Sequence, residues 1–292
     1  SHHSIRLSVI LCHQIINARQ LYPSLEFKRV SGLFSGGQFN GSSGYEEAAS
    51  QGLIAGINAA MKIKGREPLI LDRSESYIGV LIDDLVTKDN REPYRMMTSR
   101  AEYRLLLRQD NADLRLRKKG YEVGLISEEQ YQALLTKEKQ IEEEVYRLKH
   151  TMVGANKEVQ SFLTEKGSTT LKTAASLAEL ICRPELSYDI LAEIDKDRKA
   201  LSKDVTEQAE IEIKYEGYIE RQKKQVEQYK KLEVRAIPEN MDYDAVPSLR
   251  LEARQKLKQF LPVSIGQASR ISGVSPADIS VLLVYLEQKN KG

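Results

Sequence analysis

The chain is short of the features that mark several function classes. It has only two cysteines, Cys12 and Cys182, and no CxxC or Cys/His ligand spacing goes with them. That excludes a structural zinc site of the usual kind and fits a reducing, cytoplasmic compartment. Long apolar runs are absent. The longest, near residues 7–16, is about ten residues and is broken by cysteine, histidine and glutamine, whereas a membrane-spanning helix needs about 20. It also lacks the small-residue cleavage site of a signal peptide. Charge of one sign is missing too. The 44 basic and 42 acidic residues leave a net charge of +2, so affinity for nucleic acid has to come from local clustering. There is no internal repeat or low-complexity tract. No G-x-G-x-x-G turn follows a strand-like run, so the usual pyrophosphate cradle is not encoded.

What is present reads as mainly helical. Hydrophobic residues make up 41% and charged residues 29% of 292, enough for a sizeable core in one large or two ordinary domains. Residues 1–16, opening Ser1-His2-His3-Ser4, are set aside as a tag remnant or unassigned segment. Residues 17–65 carry a glycine-rich loop and a helix, and 66–119 form an arginine-rich connecting segment. A helical domain over 120–235 and a helical subdomain over 236–292 complete the division.

Val30 to Phe34 is expected to close a short strand before the loop Gly36–Gly44. A helix is predicted from Tyr45 to Ile63, with Glu46 and Glu47 at its positive end, Lys62 and Lys64 at the other, and Gly65 as its stop. Ala48, Gly52, Ala55 and Ala59 form a small-residue stripe suited to pressing on a sheet. A glycine loop ahead of a helix brings backbone N–H groups near a ligand, and the helix end adds partial positive charge. The same pattern also serves a plain tight turn. Glu46 and Glu47 disfavour a phosphate here and suit a neutral group such as a flavin carbonyl.

Residues 77–86 are apolar with a period ambiguous between strand and helix. Between Arg91 and Lys119, nine basic residues face four acidic ones, a local net charge of +5. Ser99 and Glu102 have capping-box spacing. A helix starting there would align Arg100, Arg104 and Arg108 on one stripe, near Arg95, matching a phosphate backbone, with Tyr94 or Tyr103 free to stack on a base. The competing reading pairs these arginines internally with Asp83, Asp84, Asp110 and Asp113. Further on, Ser127 with Gln130 opens a helix whose apolar face is Leu134, Ile141, Val145 and Leu148, and a long helix fits Lys203 to Leu232. Gly217 inside it suggests a close contact.

The tail reads as short helices, Leu249 to Leu261 and Ile265 to Lys289, the latter with a helix-turn-helix outline around Gly273. Its second helix carries Asp278, Ser275 and Ser280 rather than base-reading side chains, which favours protein contact over DNA. Val281, Leu282, Val284, Tyr285 and Leu286 are too many for one buried face. Leu282 and Tyr285 are therefore candidate anchors of a partner surface, with Arg270 and Lys289 as rim.

Long motifs resemble one family. Gly32-Leu33-Phe34, Gly37-Gln38, Asn40-Gly41, Gly44-Tyr45-Glu46-Glu47-Ala48-Ala49 and Gln51-Gly52-Leu53 are similar to the second flavin motif of the MnmG/GidA family, with Gly36 where that family usually has alanine. The resemblance continues through residues 77–87, 92–96, 98–108 and 110–113, through 214–222 and into Ile265 to Leu286. It implies a C-terminal fragment of an FAD- and NADH-dependent enzyme that modifies the wobble uridine of tRNA. On that basis the fold is a mainly α C-terminal region preceded by a truncated piece of an FAD-binding α/β domain. Gly37, Gln38, Asn40, Gly41, Gly44, Tyr45 and Glu46 become candidate flavin contacts. Arg95, Arg100, Arg104 and Arg108 become candidate tRNA contacts, and the tail a dock for an MnmE-type GTPase. The family forms homodimers. Without the pyrophosphate turn the chain by itself is expected to be inactive and to purify without FAD. No catalytic residue and no metal ligand is assigned. The competing functions are a helix-turn-helix nucleic-acid-binding regulator and a purely structural interaction module.

Overall fold

The helix that follows the glycine loop shows how this chain builds its elements. The computed structural model describes residues 15–88, 92–238 and 240–291. Cys12, Arg91 and all but Ile15 and Ile16 of the first segment lie outside them. Helix α1 is Tyr45–Ile63 and α2 is Tyr77–Thr87. Next come α3, Ala112–Glu122, α4, Glu128–His150, α5, Lys157–Glu165, and α6, Leu177–Ile181. The series ends with α7, Lys203–Lys214, α8, Glu216–Glu233, α9, Leu251–Phe260, α10, Ile265–Ser269, and α11, Pro276–Lys291. Strands β1, Met152–Val153, and β2, Ala175–Ser176, pair antiparallel, with Met152 opposite Ser176. The fold is mainly α, as expected.

The chain divides into two compact units, one made of residues 1–103 and 225–292 and the other of 104–224. The sequence division kept 66–119 as one segment and separated the tail from the glycine loop. The chain instead divides after Tyr103, with loop and tail in one unit, where Arg270 of the tail pairs with Asp83 at 3.0 Å.

In the first unit, α1 starts after extended Gly44 and stops at Gly65, which takes φ +64, the left-handed geometry glycine adopts without strain. Its buried face is Glu47, Gln51, Ile54, Ile57, Asn58 and Met61. The expected small-residue stripe lies elsewhere. Gly52 is exposed and a Cβ there would meet nothing within 4 Å, and no sheet covers that face among the described residues. Of the polar members of the buried face, Asn58 and Gln51 are fully engaged, whereas Glu47 leaves one carboxylate oxygen without a partner. Asn58 Nδ2 donates to the Ser24 and Leu69 carbonyls, and its Oδ1 accepts from Leu69 N–H at 2.6 Å. The predicted strand at 30–34 reduces to a single bridge between Glu26 and Phe34.

Residues 77–86, ambiguous by period, are helix α2. Ser76 caps it by accepting from Gly79 N–H at 2.8 Å, and residues 79–82 and 84–86 are buried. The tail closes its own core around Tyr243, Val246, Leu257, Ile265 and Leu282. Gly273, at φ +95, turns α10 toward α11, and Asp278 anchors that turn by accepting from Arg250 at 2.6 Å and from Ser275. Those bonds, Arg250 first, hold the Asp278 carboxyl well below its usual range despite burial.

The second unit is organised by α4, which opens with the Ser127/Gln130 capping box and packs on α3, α6 and α7. Leu148, Phe162, Leu163, Leu177, Leu180, Ile181 and Ile213 form its core. Arg147 runs through this core in bidentate pairs with Glu144 and Asp195, at 2.6 and 2.7 Å, and Tyr188 donates to Glu144. The long helix expected over 203–232 is two helices, interrupted at Tyr215. Gly217 belongs to the first turn of α8, and a Cβ there would meet nothing within 4 Å, so no close contact explains it.

Candidate functional site

The glycine loop is shaped first by its own geometry. Gly37 and Gly41 take φ +78 and +84, values that strain other residues. Behind them lies a polar lattice. Ser35 Oγ donates to Asn40 Oδ1, Asn40 Nδ2 to Gln51 Oε1 at 2.8 Å, and Gln51 Nε2 to Ser42 Oγ at 2.8 Å. Asn40 is 2% exposed. It therefore positions the loop from behind through Ser35 and Gln51, and it is buried where a flavin contact was expected. Gly37 is also buried, whereas Gln38, Tyr45 and Glu46 are exposed, Tyr45 at 94%.

No side chain caps the start of α1. Glu47, third in the helix, is buried, and its Oε1 accepts from Met96 N–H at 2.7 Å, tying the loop to residues 93–97. Tyr94 N–H donates to Gly41 O and Ser43 N–H to Tyr94 O, which completes that seam. The exposed end of α1 thus offers backbone N–H groups beside glycine, with Glu46 as the exposed acid. This fits a neutral acceptor such as a flavin ring and not its phosphates.

Behind the seam is a buried charge cluster. Arg73 is 2% exposed. It donates to Asp83 at 2.9 Å, Asp84 at 2.6 Å, Glu102 at 2.7 Å and the Arg100 carbonyl at 3.3 Å. Asp84 also accepts from Tyr94 Oη at 2.9 Å and pairs with Lys88 at 2.7 Å. Asp83 pairs with Arg270 at 3.0 Å, and Arg270 reaches Glu233 and the Tyr229 hydroxyl. The two neighbouring carboxyls respond oppositely. Burial dominates at Asp83 and pushes it up despite Arg270 and Arg73. At Asp84 burial also opposes the charge, but Arg73 and Lys88 outweigh it and hold the group low. Burial first, then Asp84, pushes the Tyr94 phenol up.

This cluster rearranges the arginine segment. The helix predicted from Ser99 does not form. Residues Thr98–Arg100 make a single 3-10 turn and the chain runs irregularly to α3. Arg73 captures the Arg100 carbonyl and the Glu102 carboxylate, the groups a helix start would use, and Ala101, Tyr103 and Leu107 turn inward. The arginine stripe is thereby corrected. Arg100 Nε donates to the Arg95 carbonyl, and its guanidinium lies 4.4 Å over the Tyr94 ring. Arg108 is bound to Asp110, the Leu105 carbonyl and Gln208. Arg104 is exposed, and Arg95 is 56% exposed with Glu47 4.0 Å away. Tyr94 and Tyr103 are buried, so neither stacks on a base.

The tail candidates separate in the same way. Arg270 and Leu282 are interior groups rather than rim and anchor; Leu282 has no exposed surface. Val281 and Tyr285 are half-buried against the tail core, while Val284 is 54% exposed. Sequence reasoning missed Arg73. Its only signal was an Asp83-Asp84 pair in an otherwise apolar helix, which requires a buried cation. Among the described residues no group of His, Cys, Asp or Glu is placed to hold a metal, and no helix is long and apolar enough to cross a membrane.

Three family descriptions match. Residues 128–223 match the tRNA modifying enzyme MnmG/GidA C-terminal helical domain, 225–292 its C-terminal helical bundle, and 2–67 glucose inhibited division protein A. The chain is 64% identical over 284 residues to the tRNA uridine 5-carboxymethylaminomethyl modification enzyme MnmG of Lachnoclostridium phytofermentans, covering 97% of this chain and 45% of that one. The MnmG of Caldicellulosiruptor saccharolyticus is 62% identical, with 96% and 45% covered. The crystal structure of Aquifex aeolicus GidA, form II, superposes with a TM-score of 0.78 at 48% identity, covering 93% of this chain and 43% of that one. The chain spans a little under half the length of these relatives. With matches that run from the glycine loop to the tail helix, in sequence and in fold, the chain belongs to the MnmG/GidA family.

Proposed function

We propose that the chain is part of a cytoplasmic, homodimeric, FAD- and NADH-dependent enzyme that adds carboxymethylaminomethyl or aminomethyl groups to the wobble uridine of tRNA. Its own contributions are a wall of the flavin site, tRNA contact and docking of an MnmE-type GTPase. The observation that carries this reading is 64% identity, across nearly the whole chain, to a relative named for that modification. When bound, FAD supplies redox chemistry. Gln38, Gly41, Tyr45 and Glu46 are the residues that would meet it, while buried Gly37, Asn40 and Gly44 shape the loop and the Asn40–Gln51 lattice holds it in place. With no phosphate turn of its own, the chain alone is inactive.

Arg95 and Arg104 are the tRNA contacts, because their guanidinium groups are the least engaged. Arg108 is part-buried against Asp110, Leu105 and Gln208, and Arg100, though exposed, is held by the Arg95 carbonyl and the Tyr94 ring. In an R95A/R104A variant, the log–log salt slope of tRNA binding should fall by about 1.4–1.8 units. R100A/R108A should instead lower the melting temperature. An unchanged slope in the first variant, with tRNA still bound, would assign tRNA contact to other residues. A chain that binds no tRNA at all would favour a structural module.

The GTPase dock lies on the exposed side of α11 at Val284, bordered by half-buried Tyr285. V284D should cost under about 0.5 kcal/mol of stability yet weaken GTPase binding. L282A should cost about 2–5 kcal/mol through a core cavity. Full GTPase affinity in V284D would remove this face from consideration. The regulator reading has little support, since Asp278 and Ser275, at the start of α11, are engaged with Arg250 and with each other.

A further inference from the structure

A groove of about 570 Å³ lies in the first unit, between the turn around residues 17–28 and the end of α9. Its lining includes Arg19 and Lys28 and no carboxylate. Both cationic side chains are anchored at the groove. Lys28 Nζ donates to the Arg19 carbonyl at 2.8 Å, and Arg19 Nη2 donates to the Gln259 carbonyl at 3.1 Å. The Arg19 guanidinium also lies 4.4 Å over the Phe260 ring. Neither side chain has an acidic partner among the described residues, unlike Lys62, Arg73 and Arg270 in the same unit. Desolvation, and then the Arg19 charge, lowers the Lys28 ammonium below its usual range.

The rim is apolar. Tyr22, Leu261 and Val263 are 47%, 62% and 59% exposed. Leu261 holds φ 43, ψ 60, a left-handed conformation costly for a leucine, and this turns the chain so that Leu261 and Val263 border the groove. Two cations lining one groove without a counter-charge favour an anion, since both raise the potential inside it. An aromatic and aliphatic rim adds affinity for an apolar body next to that anion.

We infer that this groove binds a small organic anion, a carboxylate or phosphate monoester with an aromatic or aliphatic body, seated on Arg19 and Lys28. This site is separate from the flavin wall at the start of α1.

Calorimetric titration of the full chain tests it with four probes: phenyl phosphate, benzoate, inorganic phosphate and benzyl alcohol. Phenyl phosphate or benzoate should bind with a dissociation constant of about 1 mM or tighter, and the stronger of the two identifies the head group. Inorganic phosphate and benzyl alcohol, each carrying half of the recognised chemistry, should bind at least about tenfold more weakly, a difference of about 1.4 kcal/mol. Lys28→Gln should weaken the better ligand about tenfold with an unchanged melting temperature, and Lys28→Arg should restore it. The inference is overturned if neither organic anion binds, if Lys28→Gln binds as tightly as the unaltered chain, or if inorganic phosphate binds equally well. Arg19→Gln is the weaker variant, because Arg19 also braces Gln259 and Phe260.

Discussion

Replacing Arg73 with alanine should lower the unfolding free energy of the first unit by about 3–5 kcal/mol near neutral pH, a large share of the roughly 5–15 kcal/mol that stabilises a typical domain. Removing this cation leaves Asp83, Asp84 and Glu102 facing one another, with Asp84 fully buried. Lys88 and Arg270 remain as partial compensation, so the loss should stay within that range. Arg73→Lys should be intermediate, since a single ammonium cannot reach three carboxylates and a carbonyl together.

The loss should also depend on pH. Asp84 titrates lower in the folded state than unfolded, so its stabilisation is present above the unfolded carboxylate value and disappears as pH falls through the folded one. Asp83 is raised, so its contribution is present at low pH and is lost as pH rises through its folded value. Without Arg73 both carboxyls keep their burial and lose a cation, and both bind protons more readily. The deficit of the variant should therefore be greatest near pH 7 and shrink toward about pH 4, near the unfolded value of aspartate. Urea unfolding of both proteins at several pH values measures this. A variant within about 0.5 kcal/mol of the parent at neutral pH would show that the cluster is dispensable.

Gly79→Ala should destabilise the chain although the substitution lies in a helix. In an open helix, alanine in place of glycine gains up to about 1 kcal/mol. At Gly79 a Cβ would come 2.3 Å from the Asp72 carbonyl oxygen and 2.7 Å from that of Leu71. Both are backbone atoms that cannot rotate away, and Gly79 N–H is already committed to Ser76. Overpacking of this kind costs about 1–3 kcal/mol, and a shift of α2 would also disturb Asp83 and Asp84. Gly217→Ala is the matched control. It has open space around it and should gain up to about 1 kcal/mol. Thermal melts of the two variants should move in opposite directions. Equal shifts would mean that the backbone around Asp72 yields easily.

Local chemistry decided much of this protein. Glu46, Glu47, Lys62 and Gly65 mark both ends of α1, and the Ser127/Gln130 box marks the start of α4, because caps and dipole complements act within one turn. The long motifs from Gly32 to Leu53 and from Ile265 to Leu286 carried family membership. The sequence reading failed where groups far apart in the chain compete for one another. Residues 99–109 have the pattern of a helix, but Arg73, Glu102 and the Arg100 carbonyl are better satisfied by one another. The same competition ties Arg108 to Asp110, Leu105 and Gln208 and Arg100 to the Arg95 carbonyl, and leaves Arg104 exposed and Arg95 with only a distant Glu47. It also places Arg270 against Asp83, 187 residues away, instead of on a rim. Periodicity reports which face of an element is apolar. It carries no information about which buried charge will find which partner, because that pairing exists only once tertiary packing has removed both from water.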